Sequence, residues 1–288
     1  MKQVVVTGAS TGIGEATVSV LVGEGAHVFG SVRKKEDAQR LKAAFGNRVT
    51  PLVFDVTDAD AVGVAAAQVR DALEGRTLYG LVNNAGVAVP GPLLHLSTDE
   101  IRHQLEVNVI GQISVIQAFA PLLGVDRALA GKPGRIVNIS SISGKMARPF
   151  FGPYAASKHA LEAVSGSLRR ELIPYGIDVI IVGPGAVVTP IWDKGRASTS
   201  GRFDDTDYAE ASRAVQDFAA EMGRTGLPGE RIGAVIWKAL STPRPRVRYA
   251  VVGRPILDWF VPRLLPARVI DRITAKRLGL MPFKKTGN

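Results

Sequence analysis

Tyr154 and Lys158 stand four residues apart in the stretch Tyr154-Ala-Ala-Ser-Lys158. On a helix, that spacing puts both side chains on one face with Cβ atoms ~5–6 Å apart. An ammonium beside a phenol favours the phenolate and is expected to lower the tyrosine pKa. The product is a proton donor or acceptor usable near neutral pH, where general acid–base catalysis is most efficient. A second chemical stretch lies near the amino terminus, Gly8-Ala-Ser10-Thr11-Gly12-Ile13-Gly14. Glycines there permit a tight turn and let backbone N–H groups approach a pyrophosphate, with a helix N-terminus behind them. A third is Arg33, at the end of an apolar run and followed by Lys34 and Lys35. Dinucleotide folds select the adenosine ribose at that point. An acid there favours a 2′-hydroxyl, whereas a guanidinium suits a 2′-phosphate. NADP(H) is therefore expected over NAD(H).

The elements that must position these groups alternate in type. Apolar runs at 3–7, 26–32, 49–54, 78–82, 135–139, 177–182 and 246–252 read as strands. Helical periodicity follows most of them, with Asp58 as the N-cap of a helix over 59–73 and Pro153 opening another that ends near Leu172. The pattern predicts a single Rossmann-type doubly wound α/β domain, with a central parallel seven-stranded sheet flanked by helices. Asp55 stands at the tip of the third strand, where it either turns the chain or faces an adenine ring. Asn83 and Asn84 close the fourth strand and are expected to turn the chain or tie neighbouring backbone. Asn108 interrupts a long helical stretch, 98–123, beside Gly111, and predicts a kink. From 190 to 228 the pattern loosens. Gly195, Ser198 to Gly201, Asp204 and Asp205 read as a mobile lid over a substrate pocket, with a helix near 208–222.

The bulk numbers set limits. The 288 residues are ample for one α/β domain, and the 46% apolar fraction is ordinary. There is no cysteine, which excludes disulfides, thiolate metal sites and a cysteine nucleophile. The four histidines show no metal-ligand spacing. The sequence contains no signal-type opening and no span-length apolar run, so a cytoplasmic address is expected. The net charge of +10 is concentrated in residues 241–288, where eleven basic side chains face only Asp258 and Asp271. That placement argues against nucleic acid as the partner of the domain. It divides the chain into 1–252, the catalytic domain, and 253–288, a basic amphipathic tail carrying Trp259, Phe260, Val261, Leu264, Leu265, Val269, Ile270 and Ile273. The tail is expected either to pack over the substrate mouth or another subunit, or to make a peripheral contact with anionic lipid.

Taken together, Thr7-Gly8-x-x-x-Gly12-x-Gly14, Asp55, Asn83-Asn84-Ala-Gly86, Asn108, Ser141, Tyr154-x-x-x-Lys158 and Pro184-Gly185 resemble the short-chain dehydrogenase/reductase family, over residues 4 to 252. The resemblance implies a carbonyl–alcohol oxidoreductase and a homo-oligomer, dimer or tetramer. It assigns the serine thirteen residues before Tyr154, which is Ser141 rather than Ser140 or Ser143. By the same resemblance Tyr154 exchanges the proton, Lys158 lowers its pKa and holds the nicotinamide ribose, Ser141 binds the reacting oxygen, and Asn108 retains a water. Ser10, Thr11 and Ile13 line the phosphate turn. Asp55 and Val56 flank the adenine, and Asn84 lies near a ribose. Pro184, Gly185, Val187 and Thr189 lie near the nicotinamide.

Members acting on steroids, retinoids and other lipophilic alcohols look most similar. They share Val28-Phe-Gly30, Asn84-Ala-Gly-Val-Ala-Val-Pro-Gly91 and Arg248-Tyr-Ala-Val-Val-Gly253. Pocket walls are then expected from Val89, Pro90, Ile142, Phe150, Phe151, Ile191 and Trp192. Gly183 departs from the pattern, since relatives often carry an acid before the equivalent of Pro184. A smaller polar or acyl-carrier ketone is the rival substrate. A non-catalytic nucleotide sensor is the rival class, and the retention of Asn108, Ser141, Tyr154 and Lys158 argues against it.

Overall fold

The computed structural model describes residues 1–282. Seven strands form one sheet: β1 (Gln3–Val6), β2 (His27–Val32), β3 (Val49–Val53), β4 (Gly80–Asn83), β5 (Arg135–Ile139), β6 (Asp178–Pro184) and β7 (Arg248–Val251). Their order is β3-β2-β1-β4-β5-β6-β7, and every neighbouring pair is parallel. A parallel sheet is covered on both faces, which is why its strands read as unbroken apolar runs. Val4, Val5, Val6, Leu81, Val82, Ile136 and Val137 are all fully buried.

One face is covered by α1 (Gly12–Gly23), α2 (Lys35–Phe45) and α9 (Gly229–Ser241), packed through Leu21, Leu41 and Ile236. The other is covered by α3 (Ala59–Leu73), α5 (Gly111–Phe119) and α6 (Gly152–Glu171), through Val69, Phe119 and Leu168. The strand order reverses between β1 and β4, and in such sheets the crevice at the carboxyl ends beside that reversal receives the ligand.

The stretch expected as one helix over 98–123 is three pieces. Following α4 (Thr98–Leu105), a π-helical turn runs from Glu106 to Ile110, and α5 ends at Phe119. Asn108 sits in the π turn, where the regular α-helix is interrupted, and its amide pairs with the Val87 backbone. The 190–228 region is more ordered than its composition suggests. It holds α7 (Ile191–Thr199) and α8 (Ala209–Thr225). The Trp192 indole donates to the Val187 carbonyl at 2.7 Å, and Arg202 grips both carboxylate oxygens of Glu100 on α4. That grip holds the Glu100 carboxyl down at about 2. Tertiary contacts, invisible in local propensity, fix this cover.

The tail turns back onto the domain. Trp259 is buried against Ile142 and Val252, and α11 (Ala267–Leu278), beyond the short α10 (Val261–Leu264), packs on α8. Ile256, Leu257, Phe260 and Leu264 are exposed. Among the described residues no helix is long and apolar enough to cross a membrane.

A buried polar chain fixes α6 to the sheet. Asn83 on β4 donates to Asn138 on β5 at 3.1 Å, and Asn138 donates to Ser165 on α6 at 2.8 Å. Orphaning a buried donor or acceptor costs about 1–3 kcal/mol. Asn138→Ala is therefore expected to lower the urea midpoint by that amount of stability at constant m. An unchanged midpoint would show that the chain carries no such weight.

Candidate active site

The carboxyl ends of the strands open into a cleft of about 1920 Å³. Typical small-ligand pockets span about 300–1,000 Å³, so this one has room for a dinucleotide and a substrate together. Gly8, Ser10, Thr11, Gly12, Ile13, Arg33, Asp55, Val56 and Asn84 line one lobe. Ser141, Tyr154, Lys158, Pro184, Gly185, Val187 and Thr189 line the floor where that lobe meets the next. Gly14 and Asn108 lie behind the wall rather than on it.

The phosphate turn is built by steric exclusion. A Cβ on Gly14 would stand 2.0 Å from the Gly8 carbonyl oxygen, so any side chain there forces the turn open. Gly12 has φ +59, in the left-handed region that glycine occupies without strain. Thr7 and Asn84 then lock the ends of β1 and β4 together. The Thr7 hydroxyl accepts from the Asn84 and Ala85 N–H groups at 2.9 and 3.0 Å, and the Asn84 amide donates to the Thr7 and Gly8 carbonyls. Asn84 is thus tied to backbone while still bordering the cleft. These features, with the cleft's size, fit a bound dinucleotide.

Just beyond the ends of β2 and β3, Arg33 lies 3.8 Å from Asp55, with Arg33 exposed and Asp55 half-buried. The Asp55 carboxylate also accepts from the Thr57 N–H at 3.0 Å and its hydroxyl at 2.9 Å. Asp55 turns the chain and also borders the cleft.

On the floor, Pro153 starts α6 and places Tyr154 and Lys158 one turn apart. The Lys158 Nζ donates to the Ile139 carbonyl at 2.8 Å and stands 5.8 Å from the centre of the Tyr154 ring. Ser141 follows β5, and its hydroxyl accepts from the Ser143 N–H at 3.1 Å and faces the Tyr154 phenol. Asn108 accepts from the Val87 N–H at 2.9 Å and donates to Ser157 at 3.1 Å; Ser157 in turn donates to the Tyr154 carbonyl at 2.7 Å. Asn108 therefore supports the backbone of Tyr154.

The protonation states correct one expectation. Burial pushes the Tyr154 phenol above its ordinary value, and the facing Ser141 hydroxyl only partly opposes this. Burial also pushes the Lys158 ammonium down to about 8, against the pull of Glu162. Burial is the leading cause of both shifts, and it sets the Tyr154 phenol above its ordinary value where the spacing led to an expected lowering.

A second charged group supports the floor, and sequence reasoning missed it. Glu162, one turn beyond Lys158, is 4% exposed and accepts from Arg248 Nε at 3.0 and 3.1 Å. Lys145 joins it at 3.3 Å. Arg248 also donates to the Ser141 carbonyl at 3.2 Å and stacks on Trp259, 4.4 Å from the ring centre. A Cβ at Gly183 would stand 2.5 Å from the Arg248 Nη2, so the departure at Gly183 leaves room for this guanidinium. The available signal was a glutamate four residues after Lys158 on a helix whose face is buried. Of the expected pocket walls, Val89, Pro90, Ile142, Phe151, Ile191 and Trp192 line the cleft. Phe150 does not. It takes φ +65 and packs edge-on against Tyr208, 5.9 Å between ring centres.

A parallel sheet with a glycine turn at its switch point, and a serine, tyrosine and lysine gathered beside it, has the form of a nucleotide-binding α/β fold. The short chain dehydrogenase family pattern matches residues 2–200. The chain is 40% identical to an NADPH-dependent 3-dehydrocapnine reductase of Ornithobacterium rhinotracheale, covering 96% of this chain and 98% of the relative. It is 31% identical to mouse retinol dehydrogenase 5, covering 93% and 86%. A short-chain dehydrogenase structure from Streptomyces avermitilis superposes with a TM-score of 0.75 at 30% identity, covering 98% of both chains. The chain belongs to the short-chain dehydrogenase family and is an oxidoreductase.

Proposed function

We propose that this protein is an NADP(H)-dependent reductase that interconverts a lipophilic ketone or aldehyde and its alcohol. The observation that carries the reading is the convergence of Ser141, Tyr154 and Lys158 on the cleft floor beside the glycine turn. The Gly8 to Gly14 turn, Arg33, Pro184, Val187 and Thr189 are the residues that would hold the dinucleotide, with Arg33 suited to a 2′-phosphate. When bound in reduced form the dinucleotide supplies the hydride equivalent to the carbonyl carbon.

The chain handles the oxygen. The Ser141 hydroxyl donates to the carbonyl oxygen and fixes its position. Tyr154, kept protonated by burial, passes its phenolic proton to that oxygen as the alkoxide forms. Lys158, with a pKa of about 8, sits behind the phenol and restores its proton. Arg248 and Glu162 hold the Ser141 segment, and Asn108 holds Tyr154 through Ser157. A hydrogen-bond donor aimed at developing negative charge in a dry site contributes ~3–4 kcal/mol to the transition state.

The substrate lobe supports a lipophilic ligand: Trp192, Met222, Leu257, Ile270 and Ile273 line it beyond Ile142. The relatives' names point the same way only in class, one a reductase and another a retinol dehydrogenase.

Tyr154→Phe is expected to remove turnover of long-chain ketones with NADPH while leaving NADPH binding, read by fluorescence titration, nearly intact. Full activity in that variant would end the assignment. Arg33→Ala is expected to cut kcat/KM with NADPH by about tenfold or more relative to NADH, because a charge-assisted phosphate contact is lost. An unchanged ratio would remove the NADP preference. The pH dependence has a defined sign. A lysine lowered to about 8 is charged below that pH and neutral above it. Reductive kcat/KM should therefore fall as pH rises through about 8, and oxidative kcat/KM should rise. A flat profile through that range would exclude Lys158 as the proton source.

A further inference from the structure

The far end of the substrate lobe carries cations that the ketone chemistry does not use. Arg148 reaches in from the loop before α6, and Arg277 from α11 in the tail. Both guanidinium groups converge on Phe218 of α8, at 5.7 and 5.5 Å from its ring centre. Among the described residues, neither forms an ion pair with a carboxylate within 4.0 Å. Asp258 is the acid that faces Arg148, but both its oxygens are taken by Arg254: one by the guanidinium at 3.1 Å, the other by the backbone N–H at 3.1 Å. Asp217 and Glu221 lie near Arg277 on α8 and pair with neither arginine.

Both guanidiniums stand beside one ring, and both keep solvent-exposed surface where an incoming anion can reach them. Desolvation pushes the Arg148 guanidinium down; Asp258 opposes this without forming an ion pair, and Arg277 adds to it. An anion bound by the two groups would gain charge-assisted hydrogen bonds, since guanidiniums suit the oxygens of a carboxylate, sulfonate or phosphate. Trp192, Val215, Met222, Leu257 and Ile270 contribute apolar surface to the same cleft as Tyr154.

We infer that Arg148 and Arg277 form an anion-recognition site in the substrate lobe, and that the substrate is an amphiphile carrying an anionic group at the end remote from its carbonyl. The inference rests on the carbonyl-reductase reading for its catalytic half only. The tail becomes part of substrate selection, because α11 supplies one of the two arginines.

The test uses the full chain with NADP⁺ and four probes: dodecanoate, methyl dodecanoate, 11-oxododecanoate and methyl 11-oxododecanoate. By calorimetry, dodecanoate should bind wild type more tightly than its ester. Arg148→Ala and Arg277→Ala should each weaken dodecanoate by roughly tenfold with the ester little changed, and Arg148→Lys should recover part of the loss. Thermal unfolding of each variant controls for folding. In turnover with NADPH, the wild type should prefer the 11-oxo acid to its ester through KM. Dodecanoate binding that is lost in the variants, without turnover of either ketone, would support the anion site and overturn the carbonyl reading instead. Equal binding of acid and ester, or acid binding indifferent to both arginines, would overturn the anion site. So would loss in the variants of binding to phosphatidylglycerol vesicles with dodecanoate affinity unchanged, since the arginines would then answer to a membrane.

Discussion

The site depends on burying one ammonium. Lys158 is 4% exposed, and burying a lone charge in a protein is costly enough that the group shifts its pKa or acquires partners. Lys158 does both. Lys158 donates a hydrogen bond to the Ile139 carbonyl, Glu162 stands one turn away, and burial pushes the ammonium down to about 8. Glu162 is itself buried and needs cations, which Arg248 and Lys145 supply. Arg248 then reaches the Ser141 carbonyl and the Trp259 ring. Each charge is placed to satisfy the previous one, and the sequence ends by fixing the serine opposite the tyrosine.

The same logic explains why the fold is needed. Ser141 follows β5, Tyr154 and Lys158 lie in the first turns of α6, the glycine turn follows β1, and α7 lies beyond β6. Only a parallel sheet with helical crossovers brings those ends to one edge. Thr7 and Asn84 hold the edge closed between β1 and β4, and the Asn83–Asn138–Ser165 chain holds α6 at the height of the sheet. Removing the side chain at Gly14 lets the turn come close enough to β1 for a phosphate to be approached by backbone.

Much of this was readable from residues alone, because it is local. Strand periodicity, the glycine turn, Asp58 as a cap and the Tyr154–Lys158 spacing are short-range patterns, and the structure places each as expected. Strand ends shifted by a residue or two: β4 begins at Gly80 rather than Leu78, since Leu78 and Tyr79 bond to Leu122 and Gln3 outside the regular ladder. What stayed hidden is long-range or environmental. Arg248 and Glu162 are 86 residues apart, and nothing in either neighbourhood announces the partner. The order of α7 comes from Trp192 and Arg202, in a segment whose Gly and Ser content argues for mobility. The sign of the Tyr154 shift depends on burial, which spacing cannot supply.

A direct titration of Lys158 tests the buried-ammonium idea at its root. With ¹³C-labelled lysine, and Lys158→Arg to assign the signal, the Lys158 Cε resonance should titrate with a midpoint near about 8, and Glu162→Gln should move that midpoint lower because the carboxylate favours the charged form. A midpoint at the ordinary lysine value of 10.5, unmoved by Glu162→Gln, would contradict it.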